Sequence, residues 1–419
     1  MCGHFIKLSK NKNNSTMKRS IFFILLFRFF LVSILGSIII GCDNTEISSD
    51  QADSFIKLFG SWSLDEGKDV KEISDGYIIV GTTMVSLDSG KDIILIKTNK
   101  FGNIIWDKTY GGIDNDNGNK VLLTDDDGYI IVGTITDESN KKDVYVIKVD
   151  SNGDKQWDKQ IGTAYDETGI SIVKVIDGYV ICGSTTEPNA VNLNPAGKTD
   201  IILVKINNNG DVQWINSFGG AEDESGNDLL VSSNGFLIVG TTSSFSEPGQ
   251  SGNNIILIET NGEGNETDKM TYGSTFSDIG NSIIHANEGG YIIVGSKGRS
   301  ASNSKVYMLK VQTNIHIIDF EKELGTLETD YGFGYDIVEH WGNYSIAGNK
   351  NLSEKNAAYF LETDINGNTI TEEQIGGYDD QIMYAIENTS DGGYIMVGKS
   401  GQGSNYMICL IKLNSKGTL

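Results

Sequence analysis

The residues that do most protein chemistry are scarce in this sequence. Its 419 residues contain 4 histidines, 4 cysteines and 3 prolines. Three histidines follow the first few residues (His285, His316 and His340), and no two stand at metal-ligand spacing, which argues against a histidine-built zinc site. There is no Gly-x-Ser-x-Gly nucleophile elbow, and no Gly-rich loop leads into Lys-Ser or Lys-Thr to cradle a phosphate. Positive charge is sparse as well. Residues 1–41 hold six of the 33 basic residues and no acid, so the remaining 27 face 56 acids and the body carries about −29. Arg299 is its single arginine. Such a surface repels phosphate backbones, so nucleic acid is excluded as a partner and anionic head groups are poor ones.

Cysteine usage excludes a disulfide scaffold. Cys2 lies before Met17, a plausible true start, and Cys182 and Cys409 sit in apolar stretches far apart in the chain. They read as small buried hydrophobes rather than as a bridge.

The fourth cysteine closes a targeting segment. Lys18 and Arg19 precede an apolar run over 21–40, interrupted by Arg28, as in an export signal. The run ends in Ile39-Ile40-Gly41-Cys42, which resembles the bacterial lipobox. The resemblance implies cleavage before Cys42, a lipid on that cysteine and an extracytoplasmic body on the cell membrane or outer membrane. An uncleaved membrane anchor is the other reading, since the run is nearly long enough to span a bilayer. The expected division is a signal peptide over 1–41, a polar tether over 42–53 and one folded domain over 54–419.

Glycine is abundant, with 50 copies, and it keeps time. Gly76-Tyr77-Ile78-Ile79-Val80-Gly81 returns at 128–133, 178–183, 235–240, 290–295, 342–348 and 393–398, its closing glycines 52, 50, 57, 55, 53 and 50 residues apart. A period of this size means stacked supersecondary units. Within one unit, β-branched and aromatic runs alternate with Gly/Asn/Asp turns, which predicts four strands joined by hairpins. Ile78-Ile79-Val80 and Ile93-Ile94-Leu95-Ile96 are apolar at successive positions, so both faces of these strands are buried. A two-layer sandwich would leave one face wet. Four-stranded antiparallel blades packed around an axis bury both, which predicts an all-β, seven-bladed β-propeller.

Ring closure is also predicted. The fourth-strand phrase recurs six times between repeats, at 106–112, 157–162, 214–220, 268–273, 320–325 and 372–377. The last repeat lacks one, and a stray copy stands at 55–60, before the first. The N-terminal strand therefore completes the last blade and removes a free sheet edge.

The repeat resembles that of a large group of secreted or lipid-anchored bacterial and archaeal propeller proteins. The likeness covers about residues 55–419 and implies the fold, with little about chemistry. The spacing that leads to Trp106, Trp157 and Trp214 is also similar to the tryptophan motif of quinoprotein-type propellers, although repeats four to six lack the tryptophan. The Asn-Gly turns resemble the Asp-box hairpins of sialidases, but one arginine cannot build those enzymes' carboxylate-binding cluster.

Two regions are candidate sites. The loops over 184–199 and 241–253 are the longest after a second strand and hold all three prolines, which marks them as a surface for a protein or polysaccharide partner. The loops before the first strands repeat an acid ahead of a glycine. Asp116, Asp166, Asp223, Asp278 and Asp380 make either a carboxylate ring for Ca²⁺ or a cationic or polyhydroxyl ligand, or a set of caps that fix their own turns. No other cofactor is implied. The functional expectation is a lipid-anchored, non-enzymatic binding module of the cell envelope. A carboxylate-based carbohydrate-active enzyme and an envelope-assembly scaffold are the alternatives.

Overall fold

The computed structural model describes residues 54–84, 90–187, 198–245, 252–300, 303–325, 331–352, 355–377, 379–403 and 405–419. Residues 1–41, Cys42, the tether and most of the two long loops (188–197 and 246–251) lie outside them. The described residues belong to one compact unit, Ala52–Leu419.

They form seven four-stranded sheets, with strand neighbours antiparallel throughout. Blade 1 runs outward from the axis through β2 (Glu66–Ile73), β3 (Gly76–Met84), β4 (Lys91–Asn99) and β5 (Ile104–Tyr110). Blades 2 to 6 repeat this order. In blade 7 the outermost strand is β1 (Phe55–Ser63), which pairs with Asn405–Leu413 from Phe55↔Lys412 to Phe59↔Ile408. The predicted closure holds, and the ring joins its two chain ends by a β ladder.

Successive apolar residues face opposite blades, as their lack of alternation predicts. Ile78 and Val80 pack with Ile93, Leu95 and the Tyr129 and Ile131 of blade 2, whereas Tyr77 and Ile79 pack with the Ile395 and Val397 of blade 7. Ile78, Ile79 and Val80 are wholly buried. Cys182 and Cys409 are free thiols inside these inter-blade cores, and burial pushes the Cys409 thiol up to about 12. Neither is a nucleophile at neutral pH.

The hairpins explain the recurring polar residues. Asn99 Oδ1 accepts from the N–H groups of Phe101 and Asn103 at 3.0 Å each, and Gly102 takes φ 71°. Asp150, Asn207, Asn261, Asp364 and Asn414 hold the matching turns in the same way. On the same face, a lysine from the third strand reaches an acid in the hairpin between the first and second strands. The pairs are Lys97–Asp75, Lys148–Asp126, Lys205–Asp177, Lys310–Glu288 and Lys412–Asp391, at 2.9–3.3 Å. In blade 6 the lysine position is Glu362, and there the hairpin offers the amide of Asn343 instead, at 2.9 Å.

One contact recurs in every blade and explains the closing glycine of the repeat. A Cβ built on Gly81, Gly133, Gly183, Gly240, Gly295, Gly348 or Gly398 would stand 1.8–2.1 Å from a backbone carbonyl oxygen of the adjacent innermost strand. Real side chains do not approach backbone that closely, so only glycine fits. At this point the innermost strand shifts register by one residue, a β-bulge between Gly67 and Asp69 in blade 1 and at the equivalent place in the other six. The innermost strand of blade 2 consequently begins at Asn117, three residues before the apolar run that announces it in the sequence.

Replacing Gly133 with Ala forces a methyl against the Asn117 carbonyl and should lower unfolding free energy by about 3 kcal/mol, the upper end for overpacking. Gly262→Ala, with nothing within 4 Å, is the control. Urea denaturation of the two variants checks this, and equal losses would show that the close approach is not the constraint.

Candidate functional site

The seven bulges build a site at the axis. A bulge places two successive residues on the same side of a strand that otherwise alternates. Both therefore reach the central channel near the loop face, where a cavity of about 270 Å³ opens. The first of the two positions supplies Lys68, Asn119, Ile170, Asn227, Asn281, Tyr335 and Tyr384 to its wall. The second supplies Lys120, Ser171, Asp228, Ser282 and Asp336. Asp69, at the second position in blade 1, is 1 % exposed and lies behind Lys120.

Most polar groups here bridge neighbouring blades. Asn119, Asn227 and Asn281 each donate from the side-chain amide to a glycine carbonyl of the next blade, at 2.6–2.7 Å, and the Asn227 Oδ1 accepts from the Ser225 hydroxyl at 3.1 Å. Asp69, Asp228 and Asp336 each accept a backbone N–H from the next blade, from Val121, Ile283 and Ile386, at 3.0–3.1 Å. Ser171 donates to Asp228 at 2.7 Å, and the Ser282 hydroxyl lies 2.8 Å from Asp336 and 3.2 Å from Asp228.

Charge converges on Lys120. Its ammonium is 3.6 Å from Asp69, whose same oxygen also faces Lys71 at 3.9 Å, and Lys71 bonds Glu387 at 2.6 Å. Partial burial disfavours the charged form of Lys120. Asp69, Asp336, Asp228 and Glu387 more than offset this, and its pKa is raised. Asp336 moves upward too, because burial outweighs Lys120 and the Ile386 N–H. At the mouth, the Lys68 ammonium sits 3.9 Å over the Tyr384 ring and 3.1 Å from Glu66, and burial lowers its pKa despite that carboxylate. Tyr335 meets Tyr384 edge-on at 5.2 Å. The wall is thus aromatic and cationic across blades 6, 7 and 1, and amide-lined in blades 2, 4 and 5.

The acids singled out in the sequence divide into two sets. Asp116 and Asp278 are buried and close their loops: Asp116 accepts from the N–H groups of Gly112 and Thr136 at 2.6 and 2.8 Å, and Asp278 from those of Ser274 and Gly298. Glu167 and Glu224 take this place in blades 3 and 4. Asp166, Asp223 and Asp380 stand one residue earlier and cap the third strand of the preceding blade through the N–H groups of Lys142, Thr199 and Asn356. None of the five lines the axial cavity. Among the described residues, no group of three or more His, Cys, Asp or Glu side chains is placed to hold a metal ion.

Trp106, Trp157 and Trp214 lie on outermost strands, each ring against a hairpin glycine of the next blade (Gly153, Gly210 and Gly264). Phe55 and Phe320 do the same against Gly102 and Gly367. In blade 4 the position is Asp268, and it meets His316 of the next hairpin at 2.9 Å. In six blades the cavity residues carry one signal in the sequence, their place in the two positions after the loop glycine, where the repeat stops repeating; in blade 7 Met383 holds the place of the glycine ahead of Tyr384.

Fold and axis together define a closed seven-bladed β-propeller with a polar axial cavity. No family profile matches the chain. An alignment 191 residues long, covering 41% of this chain, is 22% identical to the regulatory protein FlaEY of Caulobacter vibrioides, of which it spans 20%. Among solved structures, the S511A mutant of puromycin hydrolase superposes with a TM-score of 0.55 at 11% identity, over 84% of this chain and 52% of that one. The β-propeller domain of the Trilobed protease from Pyrococcus furiosus gives 0.47 at 10%, over 84% and 94%. At these identities the likeness is one of fold.

Removing the axial cation should be costly. Lys120→Met leaves Asp69, Asp228 and Asp336 with Lys71 as the remaining cation nearby and should lower stability by about 3 kcal/mol, the low end for breaking a buried pair because the lysine is partly exposed. Because the raised Asp336 pKa means that ionised Asp336 weakens the fold, Asp336→Asn in the same chain should restore part of the loss. The same linkage makes the Asp336 penalty present above its folded pKa and relieved as the pH falls through it, a slope that Asp336→Asn should flatten. Denaturation across pH 4–8 checks both, and additive effects of the two substitutions would rule out the coupling.

Proposed function

We propose that the protein is a non-enzymatic binding module, tethered outside the cytoplasm by a lipid on Cys42, and that it takes a small polar ligand into the axial cavity. The observation that carries this reading is the break in symmetry at the axis. Seven blades nearly identical in their cores present twelve side chains to one cavity of about 270 Å³, five blades giving a pair and blades 1 and 7 giving Lys68 and Tyr384 alone. A wall serving only to close the ring has no need of two tyrosines and a lysine on one side and three amides on the other. Concave sites with a few convergent polar groups are where propellers and other folds hold ligands.

The carboxylates favour binding over hydrolysis. Asp228 and Asp336 are engaged by Ser171, Ser282 and backbone N–H groups, so their oxygens orient blades rather than standing free for acid–base work. The segments that lead into the two long loops leave the blades on the same face, which suits a larger partner there.

Two measurements test this. Mass spectrometry of the membrane-extracted protein should find a chain that begins at a lipid-bearing Cys42, and a chain that retains residues before Cys42 would favour the uncleaved anchor. The full chain in detergent should gain thermal stability with one class among sugars, polyols, zwitterions and Ca²⁺, about 2.7 kcal/mol at a hundredfold excess over Kd. Tyr384→Ala should abolish that gain. Turnover of any sugar polymer, lost in Asp228→Asn, would instead favour an enzyme.

A further inference from the structure

The two faces of the propeller are chemically distinct, and the chain enters on one of them. β1 begins at Phe55, opposite Lys412, whose ammonium reaches Asp391 in a hairpin of blade 7. The Phe55 ring also packs against Gly102, in a hairpin of blade 1. The N-terminal strand therefore starts at the hairpin face and runs toward the loop face, where the axial cavity opens. Twelve residues separate Cys42 from Phe55. Twelve residues treated as a random coil have a root-mean-square reach of roughly 20 Å.

The hairpin face carries an expensive exposed tryptophan. In blade 6, Trp341-Gly342 forms the two-residue turn, with φ 53° and 87°. Asn-Gly meets such angles at low cost, whereas a bulky residue held there costs on the order of 1–3 kcal/mol. Yet the Trp341 indole is 86 % exposed. Its ring lies against His340 and beside Gly392 of the blade 7 hairpin, and the two-residue turn itself does not require so large a side chain. The first turn position of the matching hairpin in blade 3 is Ile176, wholly exposed. Phe101 and Ile317 project from hairpins of blades 1 and 5. Apolar tips spread over four blades fit a plane better than a groove. Five acids of this face are already paired with lysines, which lessens its repulsion of a lipid surface.

The loop face also exposes apolar side chains, Ile113, Tyr165 and Phe276. The point at which the chain enters decides between the faces. We infer that the hairpin face rests on the bilayer to which the chain is tethered, with the Trp341 indole at the lipid interface and the cavity directed outward. Tryptophan belongs at that depth because its ring is apolar and its N–H needs a polar partner. The inference rests on the reading of the N-terminal segment as a membrane tether.

The test uses the full chain reconstituted into phosphatidylcholine vesicles with brominated acyl chains, compared with unbrominated ones. Flotation with the vesicles reports the tether, and quenching reports the face. All five tryptophans lie in the body, so the expected result is a loss of roughly one fifth of the tryptophan emission, absent in Trp341→Phe. Flotation without quenching, or quenching that survives in Trp341→Phe, overturns the face assignment while leaving the tether intact. Failure to float overturns the tether and the face assignment with it. An emission shift that instead follows protein concentration, without vesicles, assigns Trp341 to self-association and overturns the inference.

Discussion

The structure depends on one close approach made seven times. The closing glycine of each repeat lies against a carbonyl oxygen of the innermost strand, at a distance no side chain tolerates. The approach lets the innermost strand bulge, and the bulge turns two neighbouring residues toward the axis. Without it the strand would alternate regularly, and every second one of those residues would point into the packed interface between blades. The glycine therefore links the packing of the blade to the composition of the channel wall.

The wall so produced is polar, and that has an energetic consequence. Three aspartates, two serines and two lysines share a buried region in which an unpaired charge is expensive. The solution is circular: the Asp69, Asp228 and Asp336 carboxylates each accept from the following blade. Lys120 supplies positive charge near the centre. Hydrophobic burial between blades holds the ring together, while this polar circuit sets how the inner strands meet. Mouth residues such as Tyr384 and Lys68 carry less of that structural duty, which leaves them available to a ligand.

Much of the architecture was legible in the sequence, because the physics behind it is local or periodic. Ile78-Ile79-Val80 announces two buried faces by the absence of alternation, and Asn99 with Gly102 announces a hairpin by its side-chain and φ requirements. The stray strand copy before the first repeat announces closure by simple counting. The site was less legible. Asp116 and Asp278 stood out because they recur, and recurrence in a symmetric ring marks a structural duty, here the capping of each loop. Lys120, Ser171 and Asp228 share no residue type, so no pattern joins them. They are related by position after a glycine, and their meaning depends on a bulge that leaves no compositional trace.

Composition, period and the apolar doublets of the sequence by themselves determined the fold class, the number of blades, the closing strand and the acidic character of the body. These follow from burial, turn stereochemistry and charge, each of which acts over a few residues or sums over the whole chain. Which side chains share the axis, which acids are occupied as caps, and that β1 enters at the face bearing Trp341 emerge from the folded ring alone. Those facts depend on residues some fifty positions apart meeting across a ring, and the distance between them is set by how the blades pack.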